Sequence, residues 1–334
     1  MRKIFALLKQ SQILRSLARW IDSDTPELVK VGRKGRYDLI RGIPLAGVHL
    51  MCLAPFIVGW SWVAVITAIA LYVIRMFAIT GFYHRYFSHR TFKTNRVMQF
   101  LFAVLGNSAL QRGPLWWAAN HRHHHLYADK PEDFHSPLQL GFVRAHVGWV
   151  LDRDNFKTRY EYVKDWVKFP ELVWLNRFDI VVPVVFAVLI FLAGQMLAAY
   201  APELQTNGIQ MLVWGFFISS IAVMHATFTI NSFDHMFGFR RYNTDDTSRN
   251  NVILAILTLG EGWHNNHHHY AVSNRNGFYW WEIDMTYYLV LLLSFLGIVR
   301  DIRPLPLASR ESGKIMKLKE ENNSGPIEGR PQKF

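Results

Sequence analysis

The sequence predicts an all-α integral membrane protein, with four transmembrane helices in two hairpins and a cytoplasmic helical cap carrying a histidine-rich site. Three observations predict it. Residues 43–83 contain a single charged side chain, Arg75, and residues 180–200 contain none; stretches so long and apolar are suited to a bilayer rather than a soluble interior. The chain carries 37 Lys and Arg against 25 Asp and Glu, and every basic residue except Arg75 lies outside the two hairpins. The 15 histidines are not scattered, and most fall in four short segments next to the apolar stretches.

Composition already removes several classes. With 51% hydrophobic, 15% aromatic and 19% charged residues, the chain is neither disordered nor fibrous. Its one cysteine, Cys52, lies within an apolar stretch, which excludes a disulfide framework, a four-cysteine metal site and a CxxC redox pair. Any metal must therefore be held by other ligands.

Taken in order, residues 1–42 form a basic N-terminal segment. Its start, MRKIFALLKQSQILRSLARW, is amphipathic and reads as a helix lying on an anionic membrane surface, because Lys9 and Arg15 come too early for a signal-peptide core. A bilayer span needs ~20 apolar residues, so the first hairpin divides into spans at about 43–59 and 61–83, broken around Gly59-Trp60-Ser61 after Pro55. The second has spans at about 180–200 and 209–230, with Pro202 and Glu203 in the link. Neither link contains Lys or Arg, so the positive-inside rule places both termini and the cap, residues 84–179 and 231–308, on the cytoplasmic side. Val97–Leu110 is too short to span and reads as an interfacial or protein-covered helix, and Ile283–Val299 is placed against the membrane face. The spans and the cap together make one unit bounded at 43–308, and residues 309–334 have the composition of a disordered tail.

The four histidine segments are His84-Arg-Tyr-Phe-Ser-His89, His121-Arg-His-His-His125, Asn231-Ser-Phe-Asp-His235 and His264-Asn-Asn-His-His-His269. Positions i, i+3 and i+4 share a helix face, so His121, His124 and His125 point one way, as do His264, His267 and His268. His123 and His269 fall off those faces and are left out of the candidate ligands. Asn231 and His235 are again i, i+4. His84 and His89 are five apart and would not share a face on a regular helix, so the helix is expected to end or bend between them. Nine candidate imidazoles result, enough for two metals with four or five nitrogens each. Nitrogen ligands suit iron, copper, zinc or nickel alike. His49, His135, His146 and His225 read as ordinary interfacial polar residues.

At these residues the chain resembles the membrane fatty acid desaturases, and most closely the Δ9 acyl-CoA desaturases. Their three histidine boxes stand here as HRYFSH, HRHHH and HNNHH, and ATFTINSFDHMFGFRRY (226–242) and GEGWHNNHH (260–268) extend the likeness, which covers roughly residues 43–299. The resemblance implies a di-iron centre. His84, His89, His121, His125 and His267 would hold one iron, and His124, His235, His264 and His268 the other, with Asn231 reaching it through water. It also implies an O₂-dependent oxidoreductase that places a cis double bond, at Δ9, in a saturated fatty acyl chain carried by coenzyme A or a lipid. Electrons would come from a separate ferredoxin- or cytochrome-type donor with its reductase. A hydroxylase on the same scaffold is the nearest alternative, and a non-catalytic membrane metal-binding protein a more distant one. No HExxH occurs, which speaks against a zinc protease, and no nucleic-acid partner is expected.

By the same resemblance Gln111, Trp117 and Thr227 line the bend that presents the reacting carbons. Basic Arg122 and the Arg144, Arg153, Lys157 and Arg159 region are candidates for headgroup phosphates. Tyr72 lies twelve residues before His84, ~18 Å deeper on a helix rising 1.5 Å per residue, and is expected to close the far end of the acyl tunnel.

Overall fold

A computed structural model describes residues 17–24 and 37–315. The expected N-terminal surface helix and all but the start of the expected tail lie outside these residues. The described residues are mainly helical, with a two-residue antiparallel pairing of β1 (Lys93–Thr94) and β2 (Val299–Arg300) and a few isolated bridges.

Among the described residues four helices are long and apolar enough to cross a membrane: Leu39–Val58, Trp62–Ser88, Val181–Tyr200 and Gly208–His235. The first starts earlier than residue 43 because Asp38 caps it, its carboxylate accepting the Arg41 N–H. Ser61 caps the second in the same way through Ala64 N–H. Between them Gly59 sits at φ +69°, a conformation that costs glycine little and other residues more. This turn is tied to the fourth span, since Gln210 donates to Val58 O at 2.9 Å, Trp214 Nε1 to Gly59 O at 3.0 Å and Ser61 to Thr206 at 2.8 Å. The third and fourth spans meet at Gly194 and Gly208, where a Cβ on Gly194 would come within 2.6 Å of the Asn207 carbonyl oxygen. Small residues at such crossings let membrane helices approach closely.

The second and fourth spans run past the expected ends at 83 and 230, and each contains a wide stretch. The second is α-helical to Phe77 and then a π-helix over Ala78–Ser88; the fourth is π-helical over Leu212–Ile218. The bend expected between His84 and His89 is therefore replaced by a change of winding. His89 N–H donates to His84 O at 3.1 Å, an i→i+5 bond, and this winding brings residues five apart onto one face.

Arg75, the lone charge of the first two spans, is 1% exposed. Its guanidinium reaches the hydroxyls of Ser219 and Ser220 and the carbonyls of Ser108, Gly215 and Leu71. The charge is thus solvated by protein dipoles drawn from the fourth span and the cap.

Shorter helices stand around the ends of the spans, among them α1 (Arg96–Asn107), α2 (Pro114–Tyr127), α3 (Phe142–His146), α4 (Pro170–Arg177), α5 (Val252–Leu257), α6 (His264–His269) and α7 (Met285–Phe295). α1 matches the short helix expected at 97–110, with Asn95 capping Met98 N–H. α2 opens on Pro114, and the free N–H of Trp116 is taken by Asn176 Oδ1 of α4 at 2.7 Å. α2 packs along the π segment of the second span. α7 is shorter than the 283–299 stretch because Asp284 caps it through Tyr287 N–H; it leaves Leu292 and Phe295 exposed, as Trp280 and Trp281 are before it. Order extends beyond residue 308: Leu307–Glu311 is a helical turn, and Tyr242 donates to Arg310 O and Ile315 N–H to Arg241 O.

Candidate metal centre

α2 lies beside the π segment and α6 faces the end of the fourth span, so four separate stretches of chain deliver their imidazoles to one place. Two groups form there. Ring nitrogens of His84, His89, His121, His125 and His267 lie within 4.8 Å of one another, and so do those of His124, His235, His264 and His268. In the first group the Nε2 atoms of His84 and His267 are 3.1 Å apart, those of His267 and His125 3.0 Å, and those of His89 and His121 2.7 Å. In the second, His235 and His264 Nε2 are 3.1 Å apart.

Four of these rings turn their other nitrogen to a carboxylate. His84 Nδ1 is 2.7 Å from Glu261, His124 Nδ1 3.0 Å from Asp133, His235 Nδ1 3.1 Å from Asp129 and His268 Nδ1 2.6 Å from Asp246. A carboxylate only accepts, so Nδ1 carries the proton and Nε2 is left as a bare lone pair. The carboxylates are themselves held: Asp129 accepts from Thr247 and Ser136, Asp246 from Ser248 N–H, and Glu261 from Arg85. Burial alone would push Asp133, Asp129 and Asp246 upward, but His124, His235 and His268 respectively outweigh it and hold all three below the usual carboxylate range.

Burial also drives His89, His121, His125, His264 and His267 well below the ordinary imidazole value, with neighbouring imidazoles adding to the effect. Neutral rings with inward lone pairs repel one another unless a cation sits between them. His268 makes the point directly, since its Nε2 is buried and has no hydrogen-bond partner. The donor set, nitrogen-only and convergent, fits a pair of transition-metal ions.

His123 and His269 stand away from both groups: His123 packs on Tyr127, Phe134 and Tyr162, and His269 stacks 3.9 Å from Tyr242 and reaches Ser309 O. Asn231 lines two cavities that share the walls Trp117, His121 and Thr227. The larger, about 230 Å³, runs between the first and fourth spans past Leu45, Val48 and Met224; the inner one reaches Met76, Ile79 and Thr80 of the second span and His84, His124 and His264. Where they meet, Trp117 stacks on His121 at 5.1 Å and donates to Gln111 at 3.2 Å, and Gln111 donates to Thr227 at 2.9 Å.

Two candidate residues have other engagements. Arg122 donates to Ser88 O, Phe87 O, Tyr162 O and both oxygens of Asp165, so its fork clamps the cap together and is not offered to a phosphate. Tyr72 lines neither cavity; its hydroxyl donates to Leu257 O at the end of α5, at 2.6 Å. Of the other basic residues, Arg144 is paired with Asp152 at 2.5 Å and Arg159 bonds Asn120 and Asn155. Arg19, Arg41 and Arg112 also stand on the wall of the larger cavity, Arg112 paired with Asp179 at 2.6 Å and Arg19 lying 3.8 Å from Asp38. Sequence reasoning missed Glu261, Asp129, Asp133 and Asp246. The signal available was the presence of acidic residues beside every histidine segment after the first, but which acid meets which ring depends on the fold.

Residues 60–292 match the sequence model of the fatty acid desaturases. The chain belongs to that family. It is 36% identical over 271 residues to an acyl-CoA 5-desaturase of Anemone leveillei, covering 80% of this chain and 79% of that one. A Δ9 acyl-lipid desaturase of Arabidopsis thaliana is 34% identical over 285 residues, 84% of this chain and 88% of the relative. An sn-1 stearoyl-lipid 9-desaturase of Anabaena variabilis is 32% identical over 278 residues, 82% and 97% of the two chains. This membrane desaturase is thus an oxidoreductase of lipid metabolism whose histidine clusters are compatible with a metal site.

Proposed function

We propose that this desaturase binds two iron ions and uses O₂ and two external electrons to introduce a cis double bond between carbons 9 and 10 of a saturated acyl chain. The observation that carries the reading is the pair of convergent imidazole groups, backed by carboxylates, at the junction of two cavities lined by apolar side chains. His84, His89, His121, His125 and His267 would hold one ion and His124, His235, His264 and His268 the other, with Asn231 placing a water beside the second. When bound, the ions supply the oxidising power to remove hydrogen from an unactivated methylene, which no acid or base can do at neutral pH.

The protein's own residues bind and orient. The acyl chain enters past Leu45, Val48 and Met224 and bends where Trp117, Gln111 and Thr227 are linked by hydrogen bonds, and its methyl end runs toward Met76, Ile79 and Thr80. The junction fixes which methylenes face the imidazoles, and holding them there provides most of what positioning can give. Arg19 and Arg41, which line the larger cavity, are the candidates for the phosphates of the carrier, coenzyme A or a glycerolipid, in the place first expected for Arg122. The turns at Gly59–Ser61 and Pro202–Leu204 make two hairpins, and the basic cap lies on the cytoplasmic side, where a ferredoxin- or cytochrome-type donor reaches it.

The test is to purify the protein in detergent, measure iron, and supply a reductase chain, O₂ and either stearoyl-CoA or a stearoyl lipid. About two iron per chain and a Δ9 alkene are expected. A hydroxylated product, or an alkene at carbon 5 as in the plant acyl-CoA relatives, overturns the corresponding part of the reading.

A further inference from the structure

A third cavity, of about 300 Å³, meets the imidazole groups at His125 and His268. It lies between Ala128 and Lys130, which follow α2, the stretch Asn243–Asp246, and the end of α6. It shares no lining residue with either cavity described above. Lys130, Asn243 and Asp245 are exposed, so its mouth is at the protein surface. Its inner wall belongs to both groups at once: the rings of His125, from the first, and His268, from the second, stack 4.5 Å apart.

The donors change in kind from the mouth inward. At the mouth stand oxygens, those of Asn243, Thr244 and Asp245. Next comes Asp246, one oxygen of which accepts from the Thr244 hydroxyl and from Ser248 N–H, both at 2.9 Å, while the other meets His268 Nδ1 at 2.6 Å. Beyond it lies His268 Nε2, buried and without a hydrogen-bond partner. Oxygen ligands suit hard ions that keep their water, whereas imidazole suits iron, copper, zinc and nickel. A divalent transition-metal ion is therefore held loosely at the mouth and more tightly the further it moves in.

The larger cavity is a poor way in for such an ion. Its wall carries Trp116, Trp149 and Phe228, against which a hydrated dication would have to give up water without compensation. It also carries the guanidiniums of Arg19, Arg41 and Arg112, which repel a cation, and the carboxylate there, Asp179, is already paired with Arg112 at 2.6 Å. In the third cavity the charged lining side chains are two carboxylates, Asp245 and Asp246, against one ammonium, Lys130. Clefts with an excess of one sign raise the local concentration of the opposite ion.

We infer that this polar cavity is the route by which metal ions enter and leave the folded centre, an inference that rests on the metal binding proposed above. Asp245 collects the hydrated ion, Asp246 takes it past the rim, and His125 and His268 pass it to their respective groups. Because the inner wall is common to both groups, the two ions use one mouth. Metal and acyl chain then reach the imidazoles by separate cavities, so a chain lying in the larger one does not bar the ions.

The test uses the full chain in detergent, loaded with iron, and reads metal rather than turnover. Release of Fe²⁺ into excess ferrozine is timed without oxygen, and then reloading with Fe²⁺ alone. Asn243 is exposed and is bonded through its backbone N–H to Gly313 O, so Asn243→Trp fills the mouth without touching a candidate ligand. Release and reloading are both expected to slow by about ten-fold, since each ion must wait for a side chain to move, with the final iron content and the affinity unchanged. Equal slowing in both directions marks a route, whereas a weakened site would release faster. Asp245→Asn keeps the shape and removes one charge; reloading is expected to slow about three-fold at low salt, the difference fading at high salt. Val48→Trp, which fills the larger cavity, should leave both rates as they are. Unaltered rates in Asn243→Trp, slowing in Val48→Trp in its place, or indifference to Asp245→Asn at every salt concentration overturns the inference. If the intact protein neither holds nor takes up iron, the proposed metal binding fails and the route with it. If it loads about two ions and Asn243→Trp loads as fast, the route alone fails.

Discussion

Nδ1 of His84 lies 2.7 Å from one oxygen of Glu261, and the other oxygen of Glu261 accepts two N–H groups from Arg85, the next residue in the chain. Arg85 continues to both oxygens of Asp284 and to Asn274 O. One buried ionic chain therefore runs from an imidazole of the metal centre to the cap of α7. Burial alone would raise the Glu261 carboxyl, but His84 and Arg85 outweigh it and keep it ionised.

Glu261→Gln keeps the shape but removes the charge that fixes the His84 tautomer. Loss of such a partner lowers metal affinity by about 10–100-fold. Metal titration of the detergent-purified protein is expected to show a weakened site in the first imidazole group. Unchanged affinity at both sites would mean that Glu261 serves the cap alone.

Asp246 backs only His268, so Asp246→Asn is expected to weaken the second group by a similar factor, about 10–100-fold, and to spare the first. Metal analysis after dialysis against a mild chelator separates the two cases: each variant should retain about one ion. Loss of both ions from either variant would show that the groups bind as a unit.

Gln111 links Trp117 to Thr227 at the junction of the cavities. Gln111→Ala unties both hydrogen bonds and loosens the wall that selects the reacting carbons. A mixture of double-bond positions is expected, with turnover down by about ten-fold, and mass spectrometry of the derivatised products checks it. A single unshifted position would make the trio ordinary packing.

Chain length is expected to depend on Met76, which lines the inner cavity, rather than on Tyr72, which lines neither. Met76→Ala should let the enzyme accept acyl chains about two carbons longer, since the side chain removed spans about that length. Tyr72→Phe should leave the chain-length profile unchanged, losing only the bond to Leu257 O. The reverse pattern, read from competition among acyl chains of different length, would return Tyr72 to the tunnel.

Arg75→Ala removes a guanidinium that bridges the second span to Ser219, Ser220 and Gly215 of the fourth. A loss of about 2–4 kcal/mol is expected from the abandoned charge-assisted bonds and the cavity, seen as a lower thermal midpoint in detergent. A midpoint equal to that of the unaltered protein would show that water replaces the side chain without cost.

The four long helices were legible because apolar length is a one-dimensional signal, and the histidine faces because helical periodicity is local. What escaped was set by partners distant in sequence. Nothing around His84 and His89 announces a π-helix, since the winding is stabilised by packing against α2. In the sequence Arg122 looks like any basic residue outside the apolar stretches, until the fold brings Asp165 and the carbonyls of Ser88 and Tyr162 around it. The expectation for Tyr72 assumed that depth along the span was enough, but its direction around the helix axis sends the hydroxyl to α5. The carboxylates behind the imidazoles are the clearest case, since Asp129 reaches His235 across 106 positions of sequence.

The first imidazole group draws on residues 84, 89, 121, 125 and 267, and the second on 124, 235, 264 and 268. An ion in either group is therefore also a cross-link that closes very long loops, and such closures remove more freedom from the opened chain the longer the loop. Metal loading should then act as the final fastening of the cap, leaving the spans able to insert before it. Protease susceptibility of the chain between α2 and α6 becomes a gauge of how full the centre is.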